Sequence, residues 1–168
     1  MAAAKHPARF LSEDERMDYL LAVASVSCAD AEIDESELER LRELCDVLEL
    51  DERARKRVMA AAEKPDAKTV ERALTTLAGS PAMSLSLLTD AIVVAFADDK
   101  LTDSEATELK RMAQRLGVSH DDAMLVAKYV ESLVLHHGDF ALDHLAKELR
   151  DALGARDPEQ IRSVAGKG

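Results

Sequence analysis

Four carboxylates in this chain of 168 residues occur in two pairs with the same spacing, and they are its strongest candidates for chemistry. Asp30 and Glu37 form the first pair, and Asp98 and Glu105 repeat it 68 residues later. Carboxylate oxygens are the ligands that hard divalent cations such as Ca²⁺ and Mg²⁺ prefer. The four acids are therefore candidate ligands for a divalent metal ion, with Ca, Mg, Mn and Zn all open.

The acidic segments do not have the ligand pattern of an EF-hand. That loop needs glycine at position 6 and a bidentate glutamate at position 12. Counted from Asp30, these positions hold Glu35 and Leu41. Counted from Asp98, position 12 is again a leucine, Leu109. EF-hand calcium binding is therefore excluded.

Helix capping offers a structural explanation for the two glutamates. Asp34 with Glu37, and Thr102 with Glu105, have the spacing of a capping box. In that motif two side chains satisfy the free amide groups at the start of a helix. Capping is thus an alternative to metal binding for Glu37 and Glu105, but not for the two aspartates.

The two aspartates lack so simple a structural role. Asp30 and Asp98 stand where predicted helices end, and a negative charge there opposes the helix dipole. A hydrogen bond from each side chain to its own backbone two residues on is the alternative. If the acidic corners have a function beyond turning the chain, we expect Asp30 and Asp98 to carry it.

Other reactive residues form no recognisable site. The chain has none of the nucleophile-elbow, metalloprotease, dinucleotide-binding or phosphate-loop motifs. Cys28 and Cys45 fall at apolar positions of the repeat, which predicts reduced core cysteines. We therefore expect a protein that is not an enzyme.

The histidines match no metal-ligand spacing. His136 and His137 are neighbours, so they point to different sides of a helix, and His144 does not complete a zinc signature. His6 and His120 are predicted to be isolated and solvated. No metal site is expected at the histidines.

Net charge and hydrophobicity limit the kinds of partner that this protein is expected to bind. The formal net charge of -11 repels nucleic acid and anionic lipid, which carry the same sign. No apolar stretch reaches the roughly 18 residues that a membrane helix needs, and no leader segment is recognisable. We expect a cytoplasmic protein that binds a protein partner and neither nucleic acid nor membrane.

Helices must position the acids. Nearly half of the residues are apolar and only 3% are aromatic, a composition typical of closely packed helices. Capping residues and glycine stops predict about eight helices, four in each half. Predicted caps are Ser12, Asp34, Asp51, Ser80, Thr102 and Ser119, and predicted stops are Gly79, Gly117, Gly138 and Gly154. The fourth helix is predicted to begin at about Asp66.

An internal duplication organises these helices into one compact all-α domain. Residues 20–51 align with residues 88–119 without a gap, and their apolar positions coincide. Two halves that share one core are predicted, rather than two independent folds. The predicted boundaries are a flexible N-terminus at 1–11, the domain at 12–154 with halves 12–79 and 80–154, and a tail at 155–168 with a short helix.

Both acidic corners resemble the TerB family of tellurite-resistance proteins, whose domain also precedes the J-domain of a membrane-anchored co-chaperone. The shared pattern is an Ala-Asp pair, an apolar residue, a capping Glu and a Leu. It occurs here as Ala29, Asp30, Ile33, Glu37 and Leu41, and again as Ala97, Asp98, Leu101, Glu105 and Leu109. The resemblance covers residues 19–134. It implies an all-helical, stress-associated domain whose acidic clusters bind a divalent metal.

Two functions follow as hypotheses. The first is a non-catalytic TerB-like domain that binds a divalent cation at its duplicated acidic corners in a stress or tellurite-resistance-type response. The second is an interaction or adaptor module without metal, in which the acids serve the fold. A groove between the halves, with adaptable walls from Met83, Met112 and Met124, would then take a partner helix.

Overall fold

The computed structural model describes residues 5–30, 32–97, 102–119, 121–123 and 125–126. All regular secondary structure in these residues is helical, which confirms the predicted all-α class. The α-helices are α1 (Glu13–Ser27), α2 (Glu35–Val47), α3 (Glu52–Ala62), α4 (Ala67–Leu77), α5 (Pro81–Ala95) and α6 (Asp103–Arg115). Two short 3-10 helices, Pro7–Phe10 and Cys28–Asp30, precede and follow α1.

The predicted helix caps are confirmed. Each of the six α-helices follows a residue whose side chain accepts a hydrogen bond from the backbone amide three positions on. Ser119 caps a further helical segment in the same way, since its hydroxyl accepts from the Asp122 amide at 3.1 Å. The predicted stops at Gly138 and Gly154, and the tail at 155–168, lie outside the described residues.

The duplication is visible in the helix boundaries. Helices α1 and α5 both have 15 residues and begin 68 residues apart. Helices α2 and α6 both have 13 residues and begin at the same interval. The contacts match as well. Helix α1 packs on α5 and on α6, the second helix of the other half, and α5 packs on α1 and on α2, which is equivalent to α6. The described helices of the second half thus repeat the lengths, the spacing and part of the contacts of the first.

Helices α1 and α5 form the centre of the core. Leu20 and Val23 on α1 and Leu88 and Ile92 on α5 are completely buried. Both helices also bury several alanines, whose small side chains let neighbouring helices approach closely. Among the described helices none is long and apolar enough to cross a membrane.

The described residues that precede α1 pack against the helical core. Ala8 is completely buried, and the 3-10 helix that contains it packs on α1 and α5. The prediction that His6 is isolated is wrong. Its Nδ1 accepts from the Ala8 amide at 3.1 Å, and its Nε2 lies 2.8 Å from Asp90 Oδ2. The Ala8 amide in the 3-10 helix and the Asp90 carboxylate on α5 therefore both bind the His6 imidazole.

Candidate metal site

The acidic side chains of Glu37 and Glu105 are buried. Only 2% of Glu37 and 4% of Glu105 is exposed. No other acidic side chain in the described residues is buried to this degree. Glutamates are almost never fully buried unless they are paired, so this burial needs a reason.

Both glutamates complete the predicted capping boxes. The Asp34 amide donates to Glu37 Oε2 at 2.8 Å, and the Glu37 amide donates to Asp34 Oδ1 at 2.8 Å. In the second half the Thr102 amide donates to Glu105 Oε2 at 3.0 Å, and the Glu105 amide donates to Thr102 Oγ1 at 3.2 Å. The capping role predicted from the sequence is thus confirmed.

Capping does not explain the burial, as a third capping box in the same protein demonstrates. Ser12 and Glu15 make the same two hydrogen bonds at the start of α1, at 2.9 and 3.2 Å. Glu15 is nevertheless exposed. Glu37 and Glu105 therefore have a property beyond capping, and it comes from what packs against them.

The two buried glutamates lie close enough for their charges to interact. Burial, with the nearby negative charge of Glu105 as a further cause, raises the pKa of Glu37 from 4.5 to about 8. The hydrogen bond from the Asp34 amide opposes this rise in pKa. The equivalent acids of the two halves therefore interact electrostatically, and Glu37 resists ionisation.

The Glu37 carboxyl also interacts with the hydroxyl of Ser27, the last residue of α1. Glu37 Oε2 accepts from the Asp34 amide, whereas Oε1 accepts from no backbone amide of the described residues. Ser27 is completely buried, and a hydrogen bond from its side chain lowers the pKa of Glu37. The two buried side chains are thus polar partners between α1 and α2.

The predicted aspartate ligands cannot be placed around these glutamates. The backbone of Asp30 ends the second 3-10 helix, but its side chain is not among the described ones. Asp98 lies outside the described residues, as do His120, His136, His137 and His144. Within the described part of the chain, no group of three or more His, Cys, Asp or Glu side chains could hold a metal ion. Of the four predicted ligands, only Glu37 and Glu105 have described side chains, and their charges interact.

Sequence reasoning missed the burial of the glutamates, and the apolar pattern could not have supplied it. Glu15, Glu37 and Glu105 are each followed, four residues later, by a completely buried side chain. These side chains are Tyr19, Leu41 and Leu109. All three glutamates thus have the same position relative to the buried face of their helix, so the local sequence pattern does not distinguish the buried pair from Glu15.

A second feature is a cavity of about 210 Å³ between α1, α4 and α6, where the two halves meet. Its apolar lining includes Val26, Val70, Leu74 and Met112. Met112 is one of the three methionines predicted to line a groove. Met83 instead packs partly buried against the core, and the side chain of Met124 is not described.

Fold and site together define a class. The protein is an all-helical domain built from two similar halves, in which the second helix of each half carries a buried capping glutamate in its first turn.

Comparison with known families agrees with this class. The family model described as tellurite resistance protein TerB matches the chain twice, over residues 1–60 and 55–128. These matches span more than half of the chain, and each contains one acidic corner. The chain therefore belongs to the TerB family, as the motif resemblance indicated. No curated protein and no solved structure matches it.

Proposed function

We propose that this protein is a non-catalytic cytoplasmic domain that binds a divalent cation in a stress or tellurite-resistance-type response. One observation carries the proposal: Glu37 and Glu105, from equivalent positions in the two halves, are both buried, and the charge of Glu105 contributes to the raised pKa of Glu37. Family membership supports the type of response.

A cation would resolve the electrostatic conflict between the glutamates. Two carboxylates close together in the interior cannot both ionise without a large penalty, and a bound cation offsets both charges. Glu37 Oε1 accepts from no backbone amide in the described residues, so it is the oxygen of this carboxylate that would bind a cation. Asp30 and Asp98, seven residues before these glutamates in the sequence, are the further ligands that the resemblance to the TerB family implies. The ion would supply the positive charge that fixes the two halves against each other.

Calorimetric titration with Mg²⁺, Ca²⁺, Mn²⁺ and Zn²⁺ tests the proposal. We expect the wild type to release or absorb heat and to melt at a higher temperature with metal, since a ligand of the folded state stabilises it. The double variant Glu37→Gln/Glu105→Gln should show neither effect, while its glutamines retain the capping hydrogen bonds.

Glu15→Gln is the matched control, because it makes the same substitution in the exposed capping box. It should bind metal like the wild type. Absence of heat and of any melting shift in the wild type at millimolar metal would overturn the proposal. Asp30→Asn/Asp98→Asn, titrated alongside, determines whether the aspartates belong to the same site.

The cavity beside Met112 favours a second candidate function, an interaction module that takes a partner helix between its halves. Its apolar walls come from both halves, and an amphipathic helix buries its apolar face in such a groove. Val70→Glu would place a charge in this lining. This function predicts that the wild type captures one defined partner even with chelator present, and that the Glu37→Gln/Glu105→Gln variant captures it too. Val70→Glu should fail to capture that partner. Loss of capture with chelator would contradict it.

A further inference from the structure

A wider depression of about 620 Å³ adjoins the apolar cavity beside Met112. Ala67, Glu71 and Arg111 line both spaces, so the two are neighbours. The other residues that line the depression lie on the exposed side of α4. Cavity and depression together form a continuous feature between α4 and α6, the α4–α6 groove.

The cavity is the apolar part of this groove. Val26, Pro65, Val70, Leu74 and Met112 line it, and its volume is about 210 Å³. An apolar cavity of about 150 Å³ is large enough to bind benzene. The cavity in the groove can therefore hold one large apolar side chain, such as that of leucine or phenylalanine.

The depression is the charged part of the groove, and its charge is mostly positive. Lys68, Arg72 and Arg111 line it together with one acid, Glu71. Glu71 is ion-paired with Arg115, so its charge is already offset. The protein as a whole has a net charge of -11, so this local sign is opposite to that of the molecule. Such a region attracts acidic groups.

Two of the three cations are available to a partner. Arg72 donates two hydrogen bonds to Asp18, at 2.8 and 2.9 Å, and is thus engaged. Arg111 is 70% exposed and has one ion pair of 3.6 Å along its own helix. Lys68 is exposed and forms no ion pair with a described residue. Asp66, close to Lys68 in the sequence, is engaged as the cap of α4.

The shape of the groove indicates an elongated partner. The depression follows α4 from Ala67 to Thr76, which is about 14 Å at a rise of about 1.5 Å per residue. Small ligands are mostly enclosed by their sites. Here the charged side chains are exposed along one helix, which suits another helix lying beside it.

We propose that the α4–α6 groove binds an acidic amphipathic helix of a protein partner. One large apolar side chain of that helix fills the cavity, and its carboxylates pair with Lys68 and Arg111. The inference rests on the second candidate function, the interaction module, and adds to it the chemistry of the partner. It does not depend on cation binding at Glu37 and Glu105.

Three fluorescently labelled helical peptides test the chemistry of the partner. All three have leucines on one face, and the opposite face carries glutamate, glutamine or lysine. In fluorescence anisotropy the wild type should bind the glutamate peptide about tenfold more tightly than the lysine peptide. This preference should shrink at about 0.5 M salt, where exposed charges are screened.

Variants separate the two parts of the groove. Val70→Trp should fill the cavity and weaken binding of the glutamate peptide about tenfold or more. Lys68→Glu/Arg111→Glu, at two exposed positions, should reverse the preference toward the lysine peptide. Arg53→Glu/Arg57→Glu is the matched control, because it changes the net charge equally at exposed positions of α3 outside the groove. It should retain the preference for glutamate. Circular dichroism checks that each variant is folded.

The possible outcomes distinguish the inference from the proposed functions. Equal binding of the glutamate and lysine peptides by the wild type would overturn the acidic partner and leave the interaction module intact. Binding of none of the peptides would overturn the helix as occupant, while calorimetry with metals still decides cation binding. Self-association of the wild type in sedimentation equilibrium, abolished by Val70→Trp, would assign the groove to a second copy of the chain and overturn the inference.

Discussion

Glu49 and Gly117, 68 residues apart, have the same left-handed backbone conformation, with φ of 56° and 69°. Each follows the second helix of its half. In each case the next residue, Leu50 or Val118, donates its amide to a carbonyl five positions earlier, at 3.1 and 3.0 Å. This is the Schellman geometry that ends many helices. The duplication has therefore preserved the turn in two halves, although only one retains the glycine that the turn favours.

Gly117→Ala is expected to lower the free energy of unfolding by about 1 kcal/mol. A side chain at positive φ places Cβ too near the neighbouring carbonyl, which costs about 1–2 kcal/mol. A Cβ added at Gly117 meets no atom within 4 Å, so the loss would come from the backbone alone. Chemical denaturation measures it.

Glu49→Ala is the matched substitution for that test, because the position already carries a side chain. Its exposed ion pair with Arg9 is lost, so both variants are best compared at about 1 M salt, where such pairs are screened. Glu49→Ala should then change stability much less than Gly117→Ala. Equal losses would show that the glycine has no special role in the turn.

Glu37 should make the metal-free protein less stable as pH rises from about 4.5 to about 8. Its pKa is about 8 in the folded protein and 4.5 ordinarily, so the folded state retains a proton that the unfolded state has released. The contribution is fully present below about pH 4.5 and is lost through pH 8. Its slope reaches about 1.4 kcal/mol per pH unit.

Glu37→Gln isolates this contribution from the other titrating groups. Glutamine at this position maintains the capping box and does not titrate. With chelator present, the wild type should lose stability relative to Glu37→Gln as pH is raised from 5 to 8. Parallel stability curves for the two proteins would show that the Glu37 pKa is not raised.

The two cysteines should differ in reactivity. Cys45 is completely buried, and burial raises the pKa of its thiol from 9.0 to about 11, which leaves little thiolate at neutral pH. Cys28 is half-buried at the end of α1. Iodoacetamide followed by mass spectrometry should label Cys28 first in the native protein and both residues after denaturation. Equal native labelling rates would contradict the buried position of Cys45.

Tyr19→Phe should destabilise the protein by about 2 kcal/mol. The completely buried Tyr19 donates its hydroxyl to Asp90 at 2.5 Å and lies 2.9 Å from Ser86 Oγ, so it links α1 to α5 across the two halves. A hydrogen bond to a charged group contributes about 1.5–3 kcal/mol, and a neutral one about half of that. Ser86→Ala should therefore cost only about 1 kcal/mol. Thermal melts of the two variants with the same midpoint would contradict this ranking.

The helices were predictable because their signals are local. Capping side chains at Ser12, Asp34 and Thr102 bond amides only three residues away, so the sequence carries the whole interaction. The prediction that His6 is isolated was wrong because the interaction of its side chain is not local. Its partner Asp90 lies 84 residues further along the chain, and no spacing rule connects the two.

Part of the candidate site was predictable in the same way. The 68-residue repeat identified Glu37 and Glu105 as equivalent and their hydrogen bonds as capping boxes. It did not distinguish them from Glu15, because all three make the same local bonds. Their electrostatic interaction and the hydrogen bond from Ser27 to Glu37 depend on how the helices pack.

By itself the sequence determined the class, the duplication, the helix boundaries and membership of the TerB family, since each depends on neighbouring residues or on a repeated pattern. Tertiary structure alone decided which capping glutamates became a buried pair. Burial depends on surfaces that fold against a side chain from distant parts of the chain. The charges of Glu37 and Glu105 interact because the two halves pack around a common core, whereas Glu15 remains in solvent.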